Sequence, residues 1–258
     1  MKQITLEGFN SPRIKPTYAE LSEGSKLWVN TLADDFKLEI RSRLLIATSK
    51  QNLRFPISGN VSISLIVCTS RVINLFGVVK NVLDSMNGLI YTDDCAVSSI
   101  LAAKQIVDNE DDVLNIQVIS GTNLRSQDSE DQRDLTPFKV LDLQMRTLVV
   151  DQFLGYPSSP ECSEVVIDAG DSELRKAIED DWDHNHVDEI AGALSFCIET
   201  SRSRPDIDNI CLNYLINLNG LAYRELTDIT SLHMETRRKP RCQERAIIKV
   251  FGGGMSKS

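Results

Sequence analysis

The sequence predicts an α/β chain of two tandem units, each with a small mixed β-sheet and two main helices. Three observations point there. Alternating β-branched runs are interleaved with amphipathic helical stretches. The order strand, turn, helix, Asn-Gly-x-x-Tyr occurs twice, and residues 121–136 (GTNLRSQDSEDQRDLT), polar and acidic like an exposed linker, separate the two occurrences. A length of 258 residues agrees with this, since single cores usually grow to about 100–200 residues before a chain splits.

The first unit, residues 1–120, opens with Ile4-Thr5-Leu6, a short strand stopped by Pro12 and Pro16. From Ser22 to Leu45, Leu27, Leu32, Phe36, Ile40 and Leu44 recur at helical spacing among charged residues, which predicts an amphipathic helix. After Pro56 and Gly59, the alternating run Val61 to Val67 predicts a strand. A helix follows from Phe76 to Met86, stopped by Asn87-Gly88. Two short strands, Ala96 to Ala103 and Val113 to Ile119, complete the unit around an acidic turn at Asp108 to Asp112.

In the second unit, residues 137–258, strands are expected near Phe138 to Leu143, at Leu194 to Ile198 and from Arg245 to Phe251. Helices are expected from Ser172 to Trp182 and from Ile210 to Leu218, the latter again stopped by Asn-Gly. The repeat holds in register. Leu83 to Tyr91 lies opposite Leu215 to Tyr223 at an offset of 132, and Thr69-Ser70-Arg71 lies opposite Thr200-Ser201-Arg202 at 131, so the first copy is one residue shorter between strand and helix.

Composition narrows the function classes. Hydrophobic content of 41% and charged content of 25% support a packed core in each half. A net charge of −9 argues against a protein that coats duplex DNA over its whole surface, so any phosphate contact must be local. Two basic groups could supply it, Arg237, Arg238, Lys239 and Arg241, and Arg202 with Arg204; either could equally be solvated surface charge. The six cysteines (68, 95, 162, 197, 211 and 242) form no Cys-x-x-Cys pair and read as reduced thiols of a cytoplasmic protein. No apolar run reaches the roughly 20 residues that span a bilayer, and nothing reads as a secretory leader.

Residue types that hold hard cations occur in both halves. Asp206 and Asp208 stand one residue apart on a segment expected to be extended, where both carboxylates would point the same way toward an ion such as Mg²⁺. Pro205-Asp206-Ile207-Asp208-Asn209 also reads as a turn with Asn209 capping the following helix. In the first half Lys80 and Asp84 lie on the helix, and Asp93 and Asp94 follow the Asn-Gly turn as either further metal ligands or an exposed acidic turn. Asp183-His184-Asn185-His186 reads as solvated, Trp28 and Trp182 as core, and Gly252-Gly253-Gly254 as a flexible tail.

Taken together, Asp206-x-Asp208-Asn209, a helix with Lys80 and Asp84, and Asp93-Asp94 before a strand resemble the RusA family of Holliday-junction resolvases. The resemblance covers nearly the whole chain, twice. It implies a small α/β subunit that works as a dimer, so that two fused copies would pack as an internal pseudo-dimer, and that cuts branched DNA symmetrically with Mg²⁺, using the Asp-x-Asp pair and the second Asp of the Asp-Asp pair, with the helix Lys also implicated. Carried over, Asp206, Asp208, Asp94 and Lys80 are the expected catalytic residues, and Asp206, Asp208, Asp94 and Asp93 the expected metal ligands.

Each copy departs from the pattern. In the second, Leu212 replaces the Lys, Ile216 the helix Asp, and Glu225-Leu226 the Asp-Asp pair. In the first, Asn74, Phe76 and Gly77 stand at the Asp-x-Asp-Asn positions. Neither Phe nor Leu can ligate a cation, so a working site requires groups pooled from both halves. The other reading is a chain that has lost catalysis and only binds branched DNA or a protein partner.

Overall fold

The computed structural model describes residues 2–7, 37–50, 55–70, 73–107, 113–120, 139–146, 172–181, 191–223, 226–241 and 244–252. These form eight strands: β1 (Lys2–Glu7), β2 (Val61–Thr69), β3 (Val97–Ile106), β4 (Val113–Ser120), β5 (Lys139–Arg146), β6 (Ala191–Thr200), β7 (Ser231–Arg238) and β8 (Arg245–Gly252). Four helices are present among the described residues: α1 (37–49), α2 (Leu75–Met86), α3 (Ser172–Asp181) and α4 (Ile207–Leu218). The chain is therefore a mixed α/β protein. No helix among the described residues is long and apolar enough to cross a membrane.

Local sequence explains the main elements. In β2, Val61, Ile63, Leu65 and Val67 alternate onto a buried face, each 3% exposed or less, and full burial of such a side chain contributes about 1.5–3 kcal/mol. The long helices α2 and α4 begin on side-chain caps: Asn74 accepts from Gly77 N at 3.0 Å, and Asp206 accepts from Asn209 N at 3.4 Å. Asp206, rather than Asn209, therefore caps α4. Both helices stop where Gly88 (φ 71°) and Gly220 (φ 75°) adopt left-handed backbone.

All eight strands belong to one sheet in the order β1-β8-β6-β7-β3-β2-β4-β5. This corrects the expectation of two separate small sheets. β3 and β7 would each present an open edge of unpaired N–H and C=O groups, and they satisfy one another as an antiparallel pair from Ser99↔Glu235 to Ala103↔Ser231. On either side the pattern repeats. β2 is parallel to β3 and antiparallel to β4, as β6 is parallel to β7 and antiparallel to β8. Ile63 pairs with Ile100 and Leu194 with Leu232, which reproduces the one-residue difference between the halves.

The outermost strands are exchanged. β1, at the start of the chain, adds to β8, while β5 adds to β4. The strand that opens each half thus closes the edge of the other half. β7, which no strong sequence signal marks, lies at the centre of the sheet. Residues 22–36, the linker 121–136, Trp28, Trp182, His184, His186 and Gly253–Gly254 lie outside the described residues.

Candidate metal centre

Strand direction decides which residues can meet. β2 runs parallel to β3, with Thr69 opposite Ile106, so the end of β2 and the start of β3 lie at opposite ends of the sheet. Nine residues of strand separate them, roughly 26 Å. Asn74 and Asp94 therefore belong to different ends, although both are in the first half. β7 runs antiparallel to β3 and parallel to β6, which brings the end of β6, and with it the start of α4, to the end of the sheet where β3 begins.

The carboxylates of the two halves converge there. Asp94 starts a 3-10 turn, Asp94–Ala96, leading into β3; Asp206 caps α4; and Asp208 lies in its first turn. One carboxylate oxygen from each of the three lies within 4.8 Å of the other two. Asp206 and Asp208 are not neighbours on an extended segment, as the sequence suggested. Their approach arises because the cap folds back over the first helical turn.

The pair is held by polar side chains from both halves. Lys80 Nζ on α2 donates to Asp208 Oδ2 at 2.6 Å and to Asn209 Oδ1 at 3.1 Å. Asn209 Nδ2 in turn donates to Asp206 Oδ2 at 2.5 Å. The Asp208 side chain is 2% exposed, yet its Oδ1 has no hydrogen-bond partner among the described residues. A buried anionic oxygen without a donor is costly in a folded chain, and a cation would satisfy it.

Electrostatics follow from this burial. Burial, then the Asp206 carboxyl beside it, push the Asp208 carboxyl up to about 6, and the Lys80 ammonium opposes this without cancelling it. Burial works against the Lys80 ammonium, but Asp208, with Asp84 and Asp206 behind it, raises its pKa, so it remains a cation.

The remaining expected residues fall outside this cluster. Asp93 groups instead with Asp94 and Cys95. It caps the 3-10 turn by accepting from Cys95 N at 3.0 Å and pairs with Arg204. The Cys95 hydrogen bonds lower its pKa to about 2. Burial, followed by Asp93, pushes the Cys95 thiol up to about 12, so it stays protonated in the metal-free chain. Asp84 pairs with Lys37 at 2.7 Å.

Among the expected phosphate-binding residues, Arg202 pairs with Glu244 at 3.0 Å, Arg237 with Glu235 at 2.9 Å and Lys239 with Glu199 at 2.6 Å. Arg238 and Arg241 are exposed and form no ion pair among the described residues. All six basic residues follow β6 or end and follow β7, at the end of the sheet that holds the carboxylates.

No family model, curated protein or solved structure matches this chain. The site's own chemistry therefore carries the functional argument. The sequence identified its carboxylates and Lys80. It did not mark the part played by Asn209, whose amide links Lys80 to Asp206; only the helix start, with Asp206 as cap, places that amide between them.

Proposed function

We propose that the chain is a pair of fused RusA-like modules, arranged as an internal pseudo-dimer, that cuts branched DNA by Mg²⁺-dependent phosphodiester hydrolysis at one composite site. The observation that carries this reading is the meeting of Asp94 with Asp206 and Asp208 beside Lys80, around a buried oxygen that lacks a donor. The donor set fits a hard cation. Mg²⁺ takes oxygen ligands at about 2.0–2.1 Å, and three carboxylate oxygens within 4.8 Å of one another are close enough for side-chain rotation to bring them onto one ion.

Asp94, Asp206 and Asp208 would hold the ion, which supplies a lowered water pKa and charge stabilisation at phosphorus. Asn209 fixes the Asp206 carboxylate by its amide hydrogen bond. Lys80 keeps Asp208 oriented and places a positive charge where a phosphate oxygen gains negative charge. The exposed Arg238 and Arg241 would contact the DNA backbone near the site.

Incubation of the full chain with a synthetic four-way junction, with and without Mg²⁺, tests the proposal. Incision with Mg²⁺ that disappears in Asp206→Asn supports it. The charge of −9, and the pairing of Arg202, Arg204, Arg237 and Lys239 with carboxylates, favour a second reading in which the chain binds without cutting. A shifted but uncut junction would indicate binding of branched DNA, and no shift would indicate a protein partner.

A further inference from the structure

The composite site has a counterpart at the other end of the sheet. The positions 132 residues before Asp206, Asp208, Leu212 and Leu226 are Asn74, Phe76, Lys80 and Asp94. The equivalence is geometric as well as sequential. Asn74 caps α2 as Asp206 caps α4, and Leu226 opens the 3-10 turn Leu226–Asp228 as Asp94 opens its own. α2 lies against that second turn.

Chemistry separates the two ends. Phe76 and Leu212 are 0% and 1% exposed and belong to the hydrophobic core, against which Leu226 also packs. The Asn74 side chain is occupied in capping Gly77 N. Among the described residues, the positions equivalent to Asp208, Asp94 and Lys80 are therefore apolar, and a neutral amide stands where Asp206 would supply a charged ligand. Charge follows the same division. The chain between β7 and β8 carries Lys239, Arg241 and Glu244, whereas the equivalent chain between β3 and β4 carries Asp108, Glu110, Asp111 and Asp112.

We propose that the chain makes one incision, in one strand, per encounter with branched DNA, leaving a nicked branched molecule and not the two duplexes that paired cuts would release. The inference rests on the function proposed above. In the reaction the oxygen of one water bonds to phosphorus, one P–O ester bond breaks, and the released sugar oxygen takes a proton; water is the only co-reactant.

A supercoiled plasmid carrying an extruded inverted repeat distinguishes the outcomes when treated with the purified full chain and Mg²⁺. One nick releases the supercoiling, and the repeat is reabsorbed before a second cut, so open circles are expected without linear DNA. Linear product formed together with open circles at early times would overturn single incision while leaving the endonuclease reading intact. Absence of any incision would overturn both.

Discussion

At the scale of single residues, the unusual group is Asp208, a carboxyl buried at the start of a helix with only one of its oxygens satisfied. Its pKa in the folded chain, about 6, is raised above the ordinary 3.8. Its contribution to stability is therefore fully present below about pH 4 and is lost as pH rises through about 6. Asp208→Asn is expected to stabilise the metal-free protein at pH 8 by about 1–3 kcal/mol, and much less at pH 4.5, measured by calorimetric unfolding. Metal binding needs the ionised carboxylate, so Mg²⁺ should raise the melting temperature of the unmodified chain at pH 8 and lose that effect below about pH 6. Residue type and spacing raised Asp206, Asp208, Asp93 and Asp94 as possible ligands, while the choice of Asp94 and the part given to Lys80 rested on the RusA resemblance. Nothing in the sequence showed that Asp93 would be taken up by Cys95 N and Arg204, because those contacts depend on a 3-10 turn and on the opposite half of the chain.

At the scale of elements, the two Asn-Gly-x-x-Tyr turns are nearly the same structure. Tyr91 Oη donates to Leu83 O at 2.7 Å, and Tyr223 Oη donates to Leu215 O at 2.5 Å, each closing the last turn of its helix. Arg41 on α1 donates to Asn87 O at 2.9 Å, and Arg175 on α3 to Asn219 O at 2.7 Å, so each accessory helix is tied to the end of a long one. Tyr91→Phe and Tyr223→Phe should each lower stability by about 1 kcal/mol in denaturant unfolding, with the helices retained. Gly88→Ala should cost about the same, since nothing lies within 4 Å of an added Cβ and the penalty is the positive φ alone. These helices were legible because their apolar spacing and Asn-Gly stops agree. β7 was not. Ser231 to Arg238 reads SLHMETRR, where only Leu232 and Met234 alternate inward and Glu235, Arg237 and Arg238 dilute the strand signal. Its place is set by pairing on both sides, with β3 and β6, which no local pattern encodes.

At the scale of the whole molecule, the sheet runs unbroken through the point where the sequence repeats. The β3–β7 ladder and the exchanged β1 and β5 hold the halves together independently of the segment that joins them. A chain cut by protease within residues 121–136 should therefore keep both fragments together through gel filtration under native conditions and release them only in denaturant. Convergence of the acidic groups from opposite halves was foreseeable as a requirement, because each copy lacks part of the set. Its cause was not legible: it follows from β2 and β3 being parallel, which sends the caps of α2 and α4 to opposite ends of the sheet. Deleting residues 1–7 should leave β2 to β4 unaffected and expose the edge of β8, seen as faster amide exchange in Arg245–Gly252.

The pairing of Lys2–Glu7 with Arg245–Gly252 also sets a timetable for biogenesis. Lys2–Glu7 meets its partner strand only after about 240 further residues have been made. At about 5–20 residues per second that interval is roughly 12–50 s. During it, the opening strand has no native ladder to join. Contacts so distant in sequence also slow the final closure of the sheet. Production of this protein is therefore expected to depend on chaperones that hold nascent chains, and in a cell-free translation stalled before β8 the N-terminal segment should remain open to proteolysis.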